Sequence, residues 1–221
     1  MCTRERARIS RCLCTRTTTF QHYWWNGQWH KGLTLGMEVQ GSPAAFQNWA
    51  RAGHYEVFVP QGDHIQHHWY DGSWHLASQV GSNVQGTPAA FENGFSGNHI
   101  ELFVPEDDHV RHHWFDGSWH QAQSFGTNIR GAPAAFINRF GNGHYELFVP
   151  EGDQIQHHWF DGTMWHLGER LGSNIRGGAA AFQNQLGGGS RGHYEVFVPE
   201  GDHIQHHWFD GTTWHLGTAL T

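Results

Sequence analysis

At 221 residues the chain is long enough for one domain with a sizeable core. Its formal net charge of -7, counted with neutral histidines, gives no basic footprint for nucleic acid or for an anionic membrane surface. No run approaches the ~20 apolar residues of a membrane span, so no membrane insertion is expected.

The first segment, Met1 to Thr19, is basic and rich in threonine. It lacks the apolar core of roughly 7–15 residues that marks a secretory signal. The compartment therefore stays open between the cytoplasm and release by a non-classical route. All three cysteines, Cys2, Cys12 and Cys14, lie in this segment, so no disulfide framework is expected for the rest. Cys12-Leu13-Cys14 is a C-x-C and lacks the C-x-x-C spacing of a zinc or redox pair.

Beyond it the chain repeats. Gln66-His67-His68-Trp69-Tyr70-Asp71-Gly72 recurs as Arg111 to Gly117, Gln156 to Gly162 and Gln205 to Gly211, with a worn copy at Gln21 to Gly27. Its tryptophans, Trp24, Trp69, Trp114, Trp159 and Trp208, are spaced by 45, 45, 45 and 49 residues. A period of that size marks a repeat architecture.

The third copy shows the unit best. Gly131 to Phe136 is a short run of small and apolar residues, followed by a Gly/Asn-rich loop. His144 to Pro150 reads as a strand, Glu151-Gly152-Asp153 as a tight turn and Gln154 to Phe160 as a third-position strand. Asp161-Gly162 is a hairpin turn, and Trp165 opens the last strand. Glycine, proline and aspartate interrupt every helical window. Four short strands in about 45 residues describe a propeller blade. The expected fold is therefore all-β, a β-propeller of four-stranded antiparallel blades, with strands A to D running from axis to rim. Complete blades cover about 41–84, 85–129, 130–175 and 176–221, and a partial blade covers 20–40, all within one domain over 20–221. Arg11 to Cys14 aligns with Glu56 to Val59 as a degenerate strand B, and Gly187 to Ser190 is an insertion between strands A and B. Three explanations of the partial blade stand: an incomplete blade that is tolerated, a ring closed between chains, or a piece of a larger propeller.

At Pro88-Ala89-Ala90, Glu101-Leu102-Phe103-Val104, His112-His113-Trp114, Asp116-Gly117 and Trp119 the chain resembles the bacterial fucose-binding propeller lectins with PLL-like repeats. The resemblance covers residues 20 to 221. It implies a propeller that binds fucose or related monosaccharides between its blades, with glycans or glycoconjugates as partners. The doubled histidine and the Val-Pro ending strand B depart from that family's repeat, whose ring has seven blades. In overall size the chain is closer to the five-bladed tachylectin-type lectins.

A sugar needs polar groups for its hydroxyls and an aromatic plane for its C–H face. Candidates recur once per blade. The carboxylates are Glu56, Glu101, Glu146 and Glu195, each in an apolar strand, where it serves either as a structural hydrogen-bond acceptor or as a hydroxyl acceptor. The histidines are His67, His112, His157 and His206. The tryptophans are Trp69, Trp114, Trp159 and Trp208 on the third strand, with Trp74, Trp119, Trp165 and Trp214 on the fourth; each is a filler between blades or one wall of a pocket. The rim formed by the D–A and B–C loops gathers Pro60 to Asp63, Pro105 to Asp108, Pro150 to Asp153 and Pro199 to Asp202 with Ser82-Asn83, Thr127-Asn128 and Ser173-Asn174.

Histidine numbers 21, and each copy has an unperturbed pKa near 6.5, so mild acid should alter association. Strand alternation sends His67 and His68 to opposite faces, so the pair does not chelate one metal. No metal and no cofactor is expected. Nothing matches Gly-x-Ser-x-Gly, a phosphate loop or His-Glu-x-x-His, and near-identical acids in every blade single out no reactive pair, so no catalytic residue is assigned. The reading is a multivalent carbohydrate-binding lectin. The alternative is a non-catalytic protein-binding or self-assembling scaffold, with a second copy completing the ring.

Overall fold

The structure is a computed structural model describing residues 19–51, 53–94, 99–139, 144–184 and 193–221. The expected strand at Arg11 to Cys14 and the insertion at Gly187 to Ser190 lie outside the described residues.

Four antiparallel four-stranded sheets follow one another, preceded by a two-stranded one. The two-stranded sheet is β1 (Thr19–Trp25) and β2 (Trp29–Met37). The first blade is β3 (Ala44–Asn48), β4 (His54–Gln61), β5 (His64–Tyr70) and β6 (Trp74–Val80). The second is β7 (Ala89–Asn93), β8 (His99–Glu106), β9 (His109–Phe115) and β10 (Trp119–Phe125). The third is β11 (Ala134–Asn138), β12 (His144–Glu151), β13 (Gln154–Phe160) and β14 (Trp165–Leu171). The fourth is β15 (Ala180–Asn184), β16 (His193–Glu200), β17 (His203–Phe209) and β18 (Trp214–Leu216). These are the four blades and partial fifth that the repeat implied.

The short, alanine-rich first strands β3, β7, β11 and β15 are neighbours in sequence order, as strands around an axis must be. Backbones there come very close: a Cβ on Gly178 would stand 2.0 Å from the Ala132 carbonyl oxygen. Second strands are apolar on both faces because each lies between two sheets. Val57, Phe58 and Val59 are all buried. The core accordingly lies between blades. Phe58, Ile65 and Val80 of the first pack with Ile100, Leu102 and Val104 of the second. Each such side chain stabilises by roughly 1.5–3 kcal/mol relative to exposure.

Two local devices repeat. The outer pair of strands carries a bulge after Gln66 and again after Gln156. The glutamine side chain fills it: the Gln66 amide donates to Ala77 O at 2.8 Å and His67 O at 3.2 Å. The Gln156 amide does the same to Gly168 O at 2.9 Å and His157 O at 3.0 Å. The connectors between blades turn at Asn83, Asn128 and Asn174, all with positive φ. Asparagine tolerates that region better than most residues. Their carbonyls accept the Asp107, Gly152 and Gly201 amides, each at 3.2 Å. The D–A connectors and B–C turns thus share one rim, as the alternation of strands required.

Candidate functional site

The fourth-strand tryptophans stand edge-on between neighbouring blades. Trp119 meets Phe58 and His67 of the preceding blade, both at 5.9 Å between ring centres. Trp165 meets Phe103 and His112, both at 5.9 Å. Trp214 meets Phe148 at 6.0 Å and His157 at 5.5 Å, and Trp74 meets His22 at 5.1 Å.

Beneath each wedge the sequence-nominated carboxylate and histidine pair with one another. Glu56 accepts from Asn48 Nδ2 at 2.9 Å and lies 2.7 Å from His67 Nε2. The same pairing joins Glu101 to His112 and Glu146 to His157 at 2.7 Å, and Glu195 to His206 at 2.6 Å. The next blade adds a hydroxyl: Tyr145 donates to Glu101 at 3.0 Å. Asn93 and Asn138 also donate to the Tyr145 and Tyr194 hydroxyls. Burial, reinforced by the Glu146 charge, raises the Tyr194 phenol above its ordinary range. Glu56 is 2% exposed, so these carboxylates are committed to an internal network.

The third-strand tryptophans are covered on both faces by histidine. Trp69 lies between His54, at 5.1 Å, and His75, at 3.9 Å. Trp114, Trp159 and Trp208 have the same two neighbours at corresponding positions. The outer histidine is anchored in turn by the hairpin aspartate, as His75 Nε2 is by Asp71 Oδ1 at 2.9 Å. That hydrogen bond holds the Asp71 carboxyl below the usual carboxylate range. At Asp161 the Thr163 hydroxyl, followed by His166, acts in the same direction.

Open space lies beside the wedges, towards the connector rim. Between the first and second blades a groove of about 280 Å³ is lined by Gly81, Ser82, Glu106, His113, Trp119 and His120, among others. His113 Nε2 is 2.6 Å from Glu106 Oε1, and Arg111 Nε is 3.8 Å from its other oxygen. Gly81 is required here: its φ is +79, and a Cβ would stand 2.5 Å from the Glu106 carboxylate. At the next junction Glu151 accepts the Thr127 amide at 2.9 Å and lies 3.3 Å from Arg170. His158 stands there too; burial first, then the neighbouring His157, lowers its pKa to about 4. At the last junction Glu200 pairs with His207 at 3.2 Å and accepts from Ser173 Oγ at 3.4 Å. Gln61 replaces the carboxylate at the first junction, where it accepts the Met37 amide at 3.2 Å. The sequence had assigned Glu106, Glu151 and Glu200 to rim turns. The pairing of Glu106 and Glu200 with the second histidine of the doublet, and of Glu151 with Arg170 instead, was hidden because it joins residues on different strands and depends on the register.

A different cavity lies between the two-stranded sheet and the first blade. It encloses about 450 Å³ and is lined by His22, Trp24, Trp25, Tyr55, Tyr70 and Trp74 with Gly32 and Leu33. Trp24 stacks on His30 at 4.1 Å, but the histidine that would cover its other face from a second strand is absent among the described residues. Among the described residues no three His, Cys, Asp or Glu side chains gather to hold a metal. No helix among them is long and apolar enough to cross a membrane.

No protein-family model matches the chain, and no curated protein sequence does. Solved structures do. SapL1 lectin in complex with α-methyl fucoside matches with a TM-score of 0.64 and 18% identity, over 81% of this chain and 63% of that one. A variant of Aleuria aurantia lectin in complex with α-methyl-L-fucoside matches with a TM-score of 0.66 and 16% identity, over 90% and 69%. A further structure of the Aleuria aurantia lectin, described as a six-bladed β-propeller, matches with a TM-score of 0.63 and 19% identity, over 87% and 66%. The fold is that of the lectin β-propellers. The chain spans about two thirds of the length of these lectins. Its propeller junctions are the places where aromatic edges and carboxylates recur together.

Proposed function

We propose that this propeller is a non-enzymatic, multivalent carbohydrate-binding protein for fucose or related monosaccharides. The observation that carries the reading is the groove beside Trp119, where an indole edge, the Glu106–His113 pair and the Gly81-Ser82 backbone converge. Carboxylate and imidazole suit sugar hydroxyls, and the indole suits an apolar sugar face. Glu200 with His207 repeats the pair at a further junction, Glu151 stands at the third with Arg170 in place of the histidine, and several weak sites on one body raise avidity without new contacts. Support also comes from the matched lectins, which were solved with fucosides. In this reading Trp119, Trp165 and Trp214 touch the sugar. The paired set Glu56, Glu101 and Glu146 with His67, His112 and His157 holds the wedges in place, Glu195 and His206 form the same pair at the end of the row, and Trp69, Trp114, Trp159 and Trp208 stiffen the outer strands. Glycoconjugates are the partners.

Calorimetric titration with methyl α-L-fucoside and a broad glycan panel tests this. We expect selective, saturable binding with more than one site per chain. Glu106→Gln, Glu151→Gln and Glu200→Gln should each remove one site and leave the others unchanged. Silence across the panel would replace this reading with a structural scaffold.

One observation favours self-assembly as the second reading. The wedge contact has unmatched halves at the two ends of the described chain. Trp29, the wedge of the two-stranded sheet, is 70% exposed. At the far end the His206 side chain is 26% exposed, against 6% for His67 and 8% for His157. A second copy carries both halves, so head-to-tail association would complete the contact.

A further inference from the structure

In each complete blade the third strand is hydrogen-bonded to the second along its inner edge. β1 is the third strand of its sheet, yet that sheet contains only β1 and β2 among the described residues. A cavity of about 540 Å³, lined by Phe20, His22, Phe46, Tyr55, Val57 and Trp74 among others, lies between β1 and the inner strands of the first blade.

Three groups facing this cavity have counterparts elsewhere that share one carboxylate and one phenyl ring. His22 corresponds to His112 and His157, whose Nε2 atoms lie 2.7 Å from Glu101 and Glu146. Tyr55 corresponds to Tyr145, whose hydroxyl donates to Glu101 at 3.0 Å. Trp74 corresponds to Trp165 and Trp214, which meet Phe103 at 5.9 Å and Phe148 at 6.0 Å. His22 is also oriented like its counterparts. A Cβ on Gly32 would stand 2.4 Å from His22 Nδ1, the same as Gly168 to His157 and Gly217 to His206. With Nδ1 against the outer strand, Nε2 is turned toward the inner edge. Among the described residues no carboxylate meets it, and Tyr55 is 49% exposed.

We propose that the inner edge of β1 is a docking site for an extended segment of a partner polypeptide carrying Glu-x-Phe. The segment adds as a strand through main-chain hydrogen bonds, the usual way an exposed edge captures a peptide. Its glutamate is received by His22 Nε2 and the Tyr55 hydroxyl, and its phenyl ring stacks on the His22 imidazole against Trp74. The sequence preceding β1 lacks this pattern, since the repeat register puts Arg11 where the blades have glutamate. A guanidinium has no acceptor to offer either group. The proposal does not depend on sugar binding.

The test is titration of the full chain with the octapeptide His-Tyr-Glu-Val-Phe-Val-Pro-Glu, the sequence of residues 193–200. Calorimetry and tryptophan fluorescence read binding, and amide exchange over residues 19–25 reads its place. We expect one peptide per chain and new protection in β1. Affinity should fall at least about tenfold when the first glutamate is glutamine, when the phenylalanine is alanine, and when the protein carries Tyr55→Phe. Tyr55 is solvent-facing, so an unchanged melting temperature of that variant checks that its fold is intact. Equal binding of a scrambled peptide, protection away from β1, absence of saturation at about millimolar peptide, or displacement by free fucose would each overturn the proposal.

Discussion

His158 shows how one buried side chain ties the fold to pH. Burial and the adjacent His157 lower its pKa to about 4, with Glu151 opposing. The unfolded chain takes up this proton near pH 6.5 and the folded chain only near 4, so between those values the unfolded state binds more protons. Stability present at neutral pH is therefore lost as pH falls through that window. The ring is only partly screened from water, so roughly 2 kcal/mol is the expected size. Denaturant unfolding from pH 7 to pH 4 should show wild type losing about that much more stability than His158→Gln. Parallel pH profiles for the two proteins would show that His158 is not responsible. His68 is shifted in the same direction, again chiefly by burial. At this scale the sequence identified the carboxylates and histidines as a recurring set. It left open whether they served structure or ligand, because exposure is set by the neighbouring blade. The neighbour encloses Glu56, Glu101 and Glu146 and leaves Trp119 beside an open groove.

The outer hairpins of the first, third and fourth blades depend on a glutamine, which the second blade replaces with Arg111. Where the bulge breaks the ladder, Gln156 satisfies the carbonyls of His157 and Gly168 with one amide group. Gln156→Leu fits the volume but leaves both carbonyls without that donor. Such a loss typically costs about 1–3 kcal/mol. A lower midpoint in urea with an unchanged slope would confirm this, and an unchanged midpoint would show that water replaces the amide. The elements themselves were legible because alternation, Pro-closed strands and Asp-Gly turns recur in register. The bulge was not, since Gln66 and Gln156 look like ordinary strand residues until pairing with β6 and β14 shifts by a step. The same applies to Gly81, whose close approach to Glu106 exists only across a junction.

For the whole molecule, the wedge contact is the unit of cohesion. It is made between consecutive sheets along the chain and, among the described residues, is left unmatched at Trp29 and at His206. If copies associate through these halves, native mass should rise with protein concentration and Trp29→Ala should return the protein to the monomer. Trp29 is largely exposed, so its removal should leave the melting temperature within about a degree or two. A strict monomer at all concentrations would exclude this association. The three carboxylate junctions, by contrast, are internal and should bind sugar in the monomer and in any assembly alike.

The sequence by itself determined the repeat, the four strands of each blade, the all-β class and the worn fifth copy. All of these follow from short-range patterning: side chains alternate along a strand, and turns need glycine, asparagine and aspartate at fixed offsets. It also gathered the connectors and B–C turns on one rim, because successive antiparallel strands return to the same end. Only the tertiary structure decided which polar groups are enclosed and which face open space. That depends on contacts between residues of different blades, such as Tyr145 with Glu101, 44 positions away. The groove beside Trp119 and the enclosure of the carboxylate–histidine pairs both arise from how one blade covers the next.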